Sequence, residues 1–193
     1  MSNLAVLIPA YNERKGLVKI LKYKKKFNFF VIDDCSSDGT LDLLKKKNIK
    51  FIRNPKQQGY EKSLIIGMKY LIKKKFKYIC TIDGDGEHPI NSIKKVYSTI
   101  KKNKIDLIVC NRNYKNRILE NILSFFFLLR FELKDPLSGM KMYYVPKLKS
   151  IINKISYKNF LVDIIYLFKK KNFKIKNFQI KVKKKIGISK VGN

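Results

Sequence analysis

The stretch TIDGDGEHP, Thr81 to Pro89, sets Asp83, Asp85 and Glu87 at alternate positions in a chain whose formal net charge is +30. Carboxylates this close repel one another unless a cation neutralises them. Residues two apart in an extended segment point the same way, so Asp83 and Asp85 can converge on one ion, and Gly84 between them leaves room for a ligand. The run before it, Tyr78 to Ile82, is short, apolar and strand-like, and the run from Ile90 to Lys102 has helical spacing. Acidic residues leaving a strand and entering a helix are the expected furniture of an α/β sheet, whose ligands bind outside the carboxyl ends of the strands.

The same alternation runs through the chain. Strands are expected at Leu4 to Pro9, Phe29 to Asp33, Lys50 to Arg53, Tyr78 to Ile82, Asp106 to Cys110 and Lys141 to Val145. Helices are expected near Lys15 to Lys25, Thr40 to Lys47, Gly59 to Lys74, Ile90 to Lys102, Asn116 to Phe131 and Asn159 to Lys171. This order predicts an α/β fold, Rossmann-like, with a mostly parallel central sheet and helices on both faces. Two further polar clusters, PAYNE (Pro9 to Glu13) and DDCSSDGT (Asp33 to Thr40), follow strands and should lie along the same sheet edge as the acidic turn. Ser36, Ser37 and Asp38 read as a turn and helix cap. With 193 residues and no linker-like stretch, a single domain over 1–193 is expected, ending in a basic segment, 183–193.

Forty-four Lys and Arg against fourteen Asp and Glu favour an anionic partner: a phosphorylated substrate, a membrane surface or nucleic acid. Much of this charge is solvated lysine surface, in runs such as KYKKK and IKKKFK. Nucleic acid is the weakest of the three, because the carboxylates of the acidic turn repel a phosphate backbone. Cys35, Cys80 and Cys110 form no CxxC pair and no full disulfide set, which suits a reducing cytoplasm. No secretory leader is evident at LAVLIPA, and the longest apolar run, ILSFFFLL from Ile122 to Leu129, is too short to span a bilayer.

In chain order, VLIPAYNE, VIDDCSSDGT, NPKQQGYEKSLIIG, TIDGDGEHP, CNR, DPLSGMK and GISK resemble the family 2 glycosyltransferases of GT-A fold. The branch most similar makes dolichol- and polyprenyl-phosphate sugars. The resemblance implies a nucleotide diphosphate-sugar donor and a Mg2+ or Mn2+ ion held by Asp83 and Asp85, with Glu87 where relatives carry another polar metal neighbour. It implies a donor pocket formed by Pro9, Tyr11, Glu13, Ile32, Asp34, Asp83, Gly84, Asp85, Arg112, Lys184 and Lys190, with Asp34 receiving the nucleoside. Asp33 points away from Asp34 and is expected to be structural. Arg112 matches the Arg near the donor phosphates, and Lys184 replaces an Arg of the family's tail motif, exchanging a bidentate fork for a point charge.

An inverting transfer follows from that resemblance, with Asp85, Arg112 and Asp135 as its catalytic residues. A polyprenyl phosphate acceptor, ionised at neutral pH, needs no base; a glycan hydroxyl does. Asp135 or Asp163 is then the base, and Lys115 and Arg117 are candidates to meet an acceptor phosphate. His88, beside Pro89, is expected to hydrogen-bond the acidic turn rather than to catalyse. The helix of NILSFFFLLRF is suited either to lie on an anionic membrane or to pack on the sheet, which places the protein in the cytoplasm, peripheral at the inner face of the cell membrane.

Overall fold

Strand β1 (Leu4–Ala10) is buried along its whole length, as befits a strand covered on both faces. Its side chains alternate: Leu4, Val6 and Ile8 enter one layer of the core, Ala5 and Leu7 the other. In the computed structural model, which describes residues 2–113, 118–156 and 159–182, β1 pairs in parallel with β2 (Asn28–Asp33) and β4 (Tyr78–Thr81), and β2 with β3 (Lys50–Arg53). β6 (Lys141–Tyr144) runs antiparallel between β4 and β5 (Leu107–Asn111), and β7 (Ile175–Gln179) lies parallel to β5. The order across the sheet is β3-β2-β1-β4-β6-β5-β7.

Helices α1 (Arg14–Ile20), α2 (Thr40–Lys46) and α4 (Ser92–Lys102) cover one face, through Leu17, Leu44, Ile93 and Val96 among others. The other face carries α3 (Tyr60–Lys73), α6 (Val145–Lys149) and α7 (Phe160–Lys170), anchored by Leu64, Met68, Leu148 and Phe168. Helix α5 (Ile118–Phe131) gives Phe127 to that second layer while Ile122, Phe125, Phe126, Leu128 and Leu129 stay exposed. No helix among the described residues is long and apolar enough to cross a membrane.

The expected strands and main helices are present, with small shifts at their ends. β6 stops at Tyr144 because Val145 and Pro146 begin α6, where proline's fixed φ suits a first turn. β7 was not among the expected strands, since Lys176 and Asn177 interrupt the apolar pattern of a half-buried edge element. The parallel connections from β1 lead to β2 on one side, while β4 pairs on the other, so the crevice between the carboxyl ends of β1 and β4 is the switch point where such sheets bind ligands.

Candidate active site

Three loops on the β1 and β2 side of that crevice are tied together by short polar side chains. Asn12 N donates to Ser36 Oγ at 3.0 Å, Ser37 N to Asn12 Oδ1 at 2.8 Å, and Arg14 N to Asp38 Oδ2 at 2.9 Å. Asp38 also accepts from Thr40 N and Oγ1 at the start of α2; the N-cap itself is Gly39, in left-handed conformation, and not one of the three residues expected to cap the helix. Asp33 is fully buried, accepts from Ser36 N at 3.1 Å and faces Arg53 at 3.5 Å.

Asp34 has more partners than a free acceptor for a nucleoside. Its Oδ1 accepts from Asn54 Nδ2 at 2.6 Å and Gln58 N at 2.8 Å, and its Oδ2 from Gly59 N at 2.8 Å. The carboxylate thus fixes the β3–α3 loop, with spare acceptor capacity only on Oδ2. Ile32 lies in the core with no exposed side chain, so only its backbone can meet a nucleotide. Pro9 is buried in β1 beyond the point where pairing with β4 ends, at Leu7 and Thr81, so its missing N–H breaks no ladder bond to β4. Tyr11 is 44% exposed at the rim, and the side chain of Glu13 packs on Gly84.

The acidic turn is clamped by two glycines. A Cβ on Gly16 of α1 would overlap the backbone of Gly84 and Asp85, and one on Gly139 would overlap the carboxylate of Asp83. Tyr60, the first residue of α3, donates its hydroxyl to Asp83 Oδ1 at 2.7 Å, and His88 Nε2 meets Asp83 Oδ2 at 2.9 Å. Burial pushes the Asp83 carboxyl up, but His88, the Tyr60 hydroxyl and Arg112 outweigh it and hold it down at about 2. Burial pulls the His88 imidazole down, yet Asp83 and then Asp85 move it above its ordinary value. His88 therefore supports the turn, as its place beside Pro89 implied.

Asp85 Oδ1 accepts from the Glu87 N–H at 2.9 Å. Among the described residues no three His, Cys, Asp or Glu are grouped as they would be around one ion. Gly86 has φ +79°, a left-handed backbone within the turn that Gly84 and Asp85 begin. Asp83 and Asp85 nevertheless fit a divalent cation. Both offer hard oxygen donors, Asp83 retains lone pairs beyond its contacts with Tyr60 and His88, and two carboxylates completed by substrate phosphates are a common set for Mg2+.

Across the crevice, Arg112 leaves β5 and meets Asp135 in a two-pronged pair: Nε to Oδ2 at 2.8 Å and Nη2 to Oδ1 at 2.9 Å, with Arg112 N to Oδ2 at 3.0 Å. Asp135 is 1% exposed and its two oxygens are both engaged. It orients the guanidinium, and spare acceptor capacity remains only on Oδ1. Asp163, in the first turn of α7, accepts from Ser156 N at 3.1 Å. Lys115, Arg117, Lys184 and Lys190 lie outside the described residues. Tyr60, Gly16, Gly139 and Lys141 were not singled out from sequence. The lone lysine opening the otherwise apolar run KMYY was the available signal for Lys141.

The model of glycosyl transferase family 2 matches residues 5–137. Over 128 residues the chain is 30% identical to dolichol-phosphate mannosyltransferase of Pyrococcus furiosus, covering 61% of this chain and 35% of that one. Over 211 aligned positions it is 25% identical to dolichyl-phosphate beta-glucosyltransferase of Dictyostelium discoideum, covering 89% and 64%. The chain therefore spans less than two thirds of either relative's length. Glucosyl-3-phosphoglycerate synthase of Mycobacterium tuberculosis, solved with Mn2+ and UDP-glucose, superposes with a TM-score of 0.76 at 16% identity, over 97% of this chain and 72% of that one. That likeness gives the chain the GT-A fold.

Proposed function

The chain belongs to glycosyl transferase family 2, and we propose that it moves a sugar from a nucleotide diphosphate-sugar to a polyprenyl phosphate, inverting the anomeric centre, with Mg2+ or Mn2+ bound at Asp83 and Asp85. The observation that carries this reading is the acidic turn after β4 together with an arginine after β5 that Asp135 orients, both at the carboxyl ends of their strands. The cation, when bound, neutralises the diphosphate oxygens of the leaving group. Asp83 and Asp85 hold it, Arg112 offers a fixed fork to a phosphate, and Asp135 keeps that fork aimed. Tyr11 and Glu13 line the nucleoside side, Asp34 shapes its floor and, with Oδ2, retains capacity for one more hydrogen bond.

A phosphate acceptor is favoured over a hydroxyl because the best-placed base, Asp135, is buried and bound by Arg112. An ionised phosphate attacks without proton removal, so the chemistry rests on positioning and on stabilising the leaving group. The names of the two lipid-phosphate relatives support the same choice. The exposed face of α5, with Phe125 and Leu129 at 64% and 71% exposure, suits shallow insertion among lipid chains, and the lysine-rich surface suits anionic headgroups. On this reading the protein works at the inner face of the cell membrane, and nucleic acid has no part in it.

The test is a screen of radiolabelled UDP-, GDP- and dTDP-sugars with polyprenyl phosphate in vesicles containing anionic lipid. The expected result is organic-extractable label that disappears in excess EDTA. Label released only as free sugar, or passed only to a saccharide, would overturn the lipid-phosphate acceptor.

A further inference from the structure

The segment between β3 and α3 touches two carboxylates that the sheet keeps apart. Asp34 follows β2 and Asp83 follows β4, and β1 lies between those strands. The N–H groups of Gln58 and Gly59 donate to Asp34 at 2.8 Å each, and the hydroxyl of Tyr60, the next residue, donates to Asp83 Oδ1 at 2.7 Å. Tyr60 is also the first residue of α3. That helix lies close on the sheet, since a Cβ on Gly67 would overlap the side chain of Leu7 in β1. The phenol is therefore delivered to Asp83 by a packed helix on one side and by a loop fastened to Asp34 on the other.

Packing does not call for the hydroxyl. Tyr60 is 37% exposed, and a phenylalanine would leave the whole ring in place. What the oxygen adds is the bond to Asp83. An aspartate side chain that is free to turn must be fixed when an ion binds, and neighbours that fix it beforehand remove that cost. Asp83 is met on both oxygens, by Tyr60 at Oδ1 and by His88 Nε2 at Oδ2, and each oxygen keeps a further lone pair for a ligand. A neutral phenol also holds the carboxylate without bringing a positive charge that would compete with the cation. Partners of this kind orient the side chains that hold a metal, and their loss lowers metal affinity or activity by about 10- to 100-fold.

We propose, resting on the donor-pocket reading of this site, that Tyr60 is a positioning residue whose hydroxyl aims Asp83 at the divalent cation. The β3–α3 segment then sets the aspartate of the cation relative to the aspartate of the nucleoside, because consecutive residues hold the two. His88 fixes only one of the oxygens of Asp83, so losing the hydroxyl frees the carboxylate to turn and is felt by the ion more than by the fold.

Tyr60→Phe removes the oxygen and keeps the ring. Mn2+ alone is titrated into the wild type and the variant and followed by the paramagnetic resonance of the free ion, and UDP, GDP and dTDP are each titrated by calorimetry, once with Mn2+ and once with EDTA. The variant is expected to bind Mn2+ about 10-fold less tightly, and to bind the diphosphate that the wild type accepts about 10-fold less tightly when Mn2+ is present. Its affinity in EDTA is expected to be unchanged, and its metal-free unfolding midpoint to move by less than about 4 °C. Equal Mn2+ affinity in the two proteins would overturn the proposal. So would a loss of diphosphate affinity of the same size in EDTA, which would put the hydroxyl on the diphosphate itself, or a larger fall in the midpoint, which would make it a contact of the fold. A wild type that bound Mn2+ but none of the three diphosphates would sink the donor-pocket reading and leave the Mn2+ titration to decide the role of Tyr60; one that bound neither would sink both.

Discussion

The aspartates on the two sides of the crevice hold different things. On the β1 and β2 side, Asp33, Asp34 and Asp38 accept chiefly from backbone N–H groups of Ser36, Gln58, Gly59, Arg14 and Thr40. On the β4 and β5 side, Asp83 accepts from the Tyr60 hydroxyl and faces His88, and Asp135 grips the Arg112 guanidinium. A carboxylate bonded to backbone fixes the course of a loop, and losing it exposes buried donors. One bonded to movable side chains can exchange or share those partners with a ligand. On the proposed reading, the same residue type is scaffold on one side of the pocket and working part on the other.

The largest effect should come from the working side. Asp85→Asn is expected to lower transfer by about 10³-fold while moving the unfolding midpoint by less than about 2 °C, as read by single-turnover assay and calorimetry on one sample. A variant that lost its activity by unfolding would erase the distinction drawn here. Next in size, Asp34→Ala strips the acceptor from three donors and should destabilise by about 3 kcal/mol, or about 6 to 12 °C in the midpoint. If the midpoint holds and only nucleotide binding is lost, Asp34 belongs with the working group. The smallest effect concerns spacing: Gly139→Ala pushes on the Asp83 carboxylate and should weaken Mn2+-dependent diphosphate binding by about 10- to 100-fold, as small misplacements do. Unchanged binding would mean that the 135–140 loop yields freely and does not set the position of Asp83.

The scaffold side was easier to read from sequence than the working side. Apolar runs such as LAVLIPA and FFVIDD announce buried parallel strands through local pattern alone, and the acidic turn announces itself by charge. The direction of β6 is a matter of what lies beside it, and no local pattern in KMYY encodes that Cys80 and Ile108 flank Met142. The partners of Asp34 were likewise illegible, because Asn54, Gln58 and Gly59 reach it from a loop more than twenty positions away in two of the three bonds and twenty in the other. Alternation in the acidic turn also says less than it promised, because Gly84 and Asp85 form a turn and Gly86 is left-handed, so the spacing of Asp83, Asp85 and Glu87 does not by itself set them on one face. Asp135 could be seen as important in DPLSGMK, but whether it takes a proton or holds Arg112 depends on a pairing 23 residues apart.

The reversed strand also orders the birth of the molecule. Strands β1 to β4 can pair with one another as soon as residues 4–81 have been made, whereas β5 finds its neighbours only in residues 141–144 and 175–179, both synthesised after it. During translation Leu107 to Asn111 must wait with both edges open, which is the condition under which strands join the wrong partner. A ribosome that pauses between the codons for Asn111 and Lys141 would therefore present a paired β1–β4 side beside an unpaired, largely apolar strand, and it is there that a nascent chain of this topology needs protection.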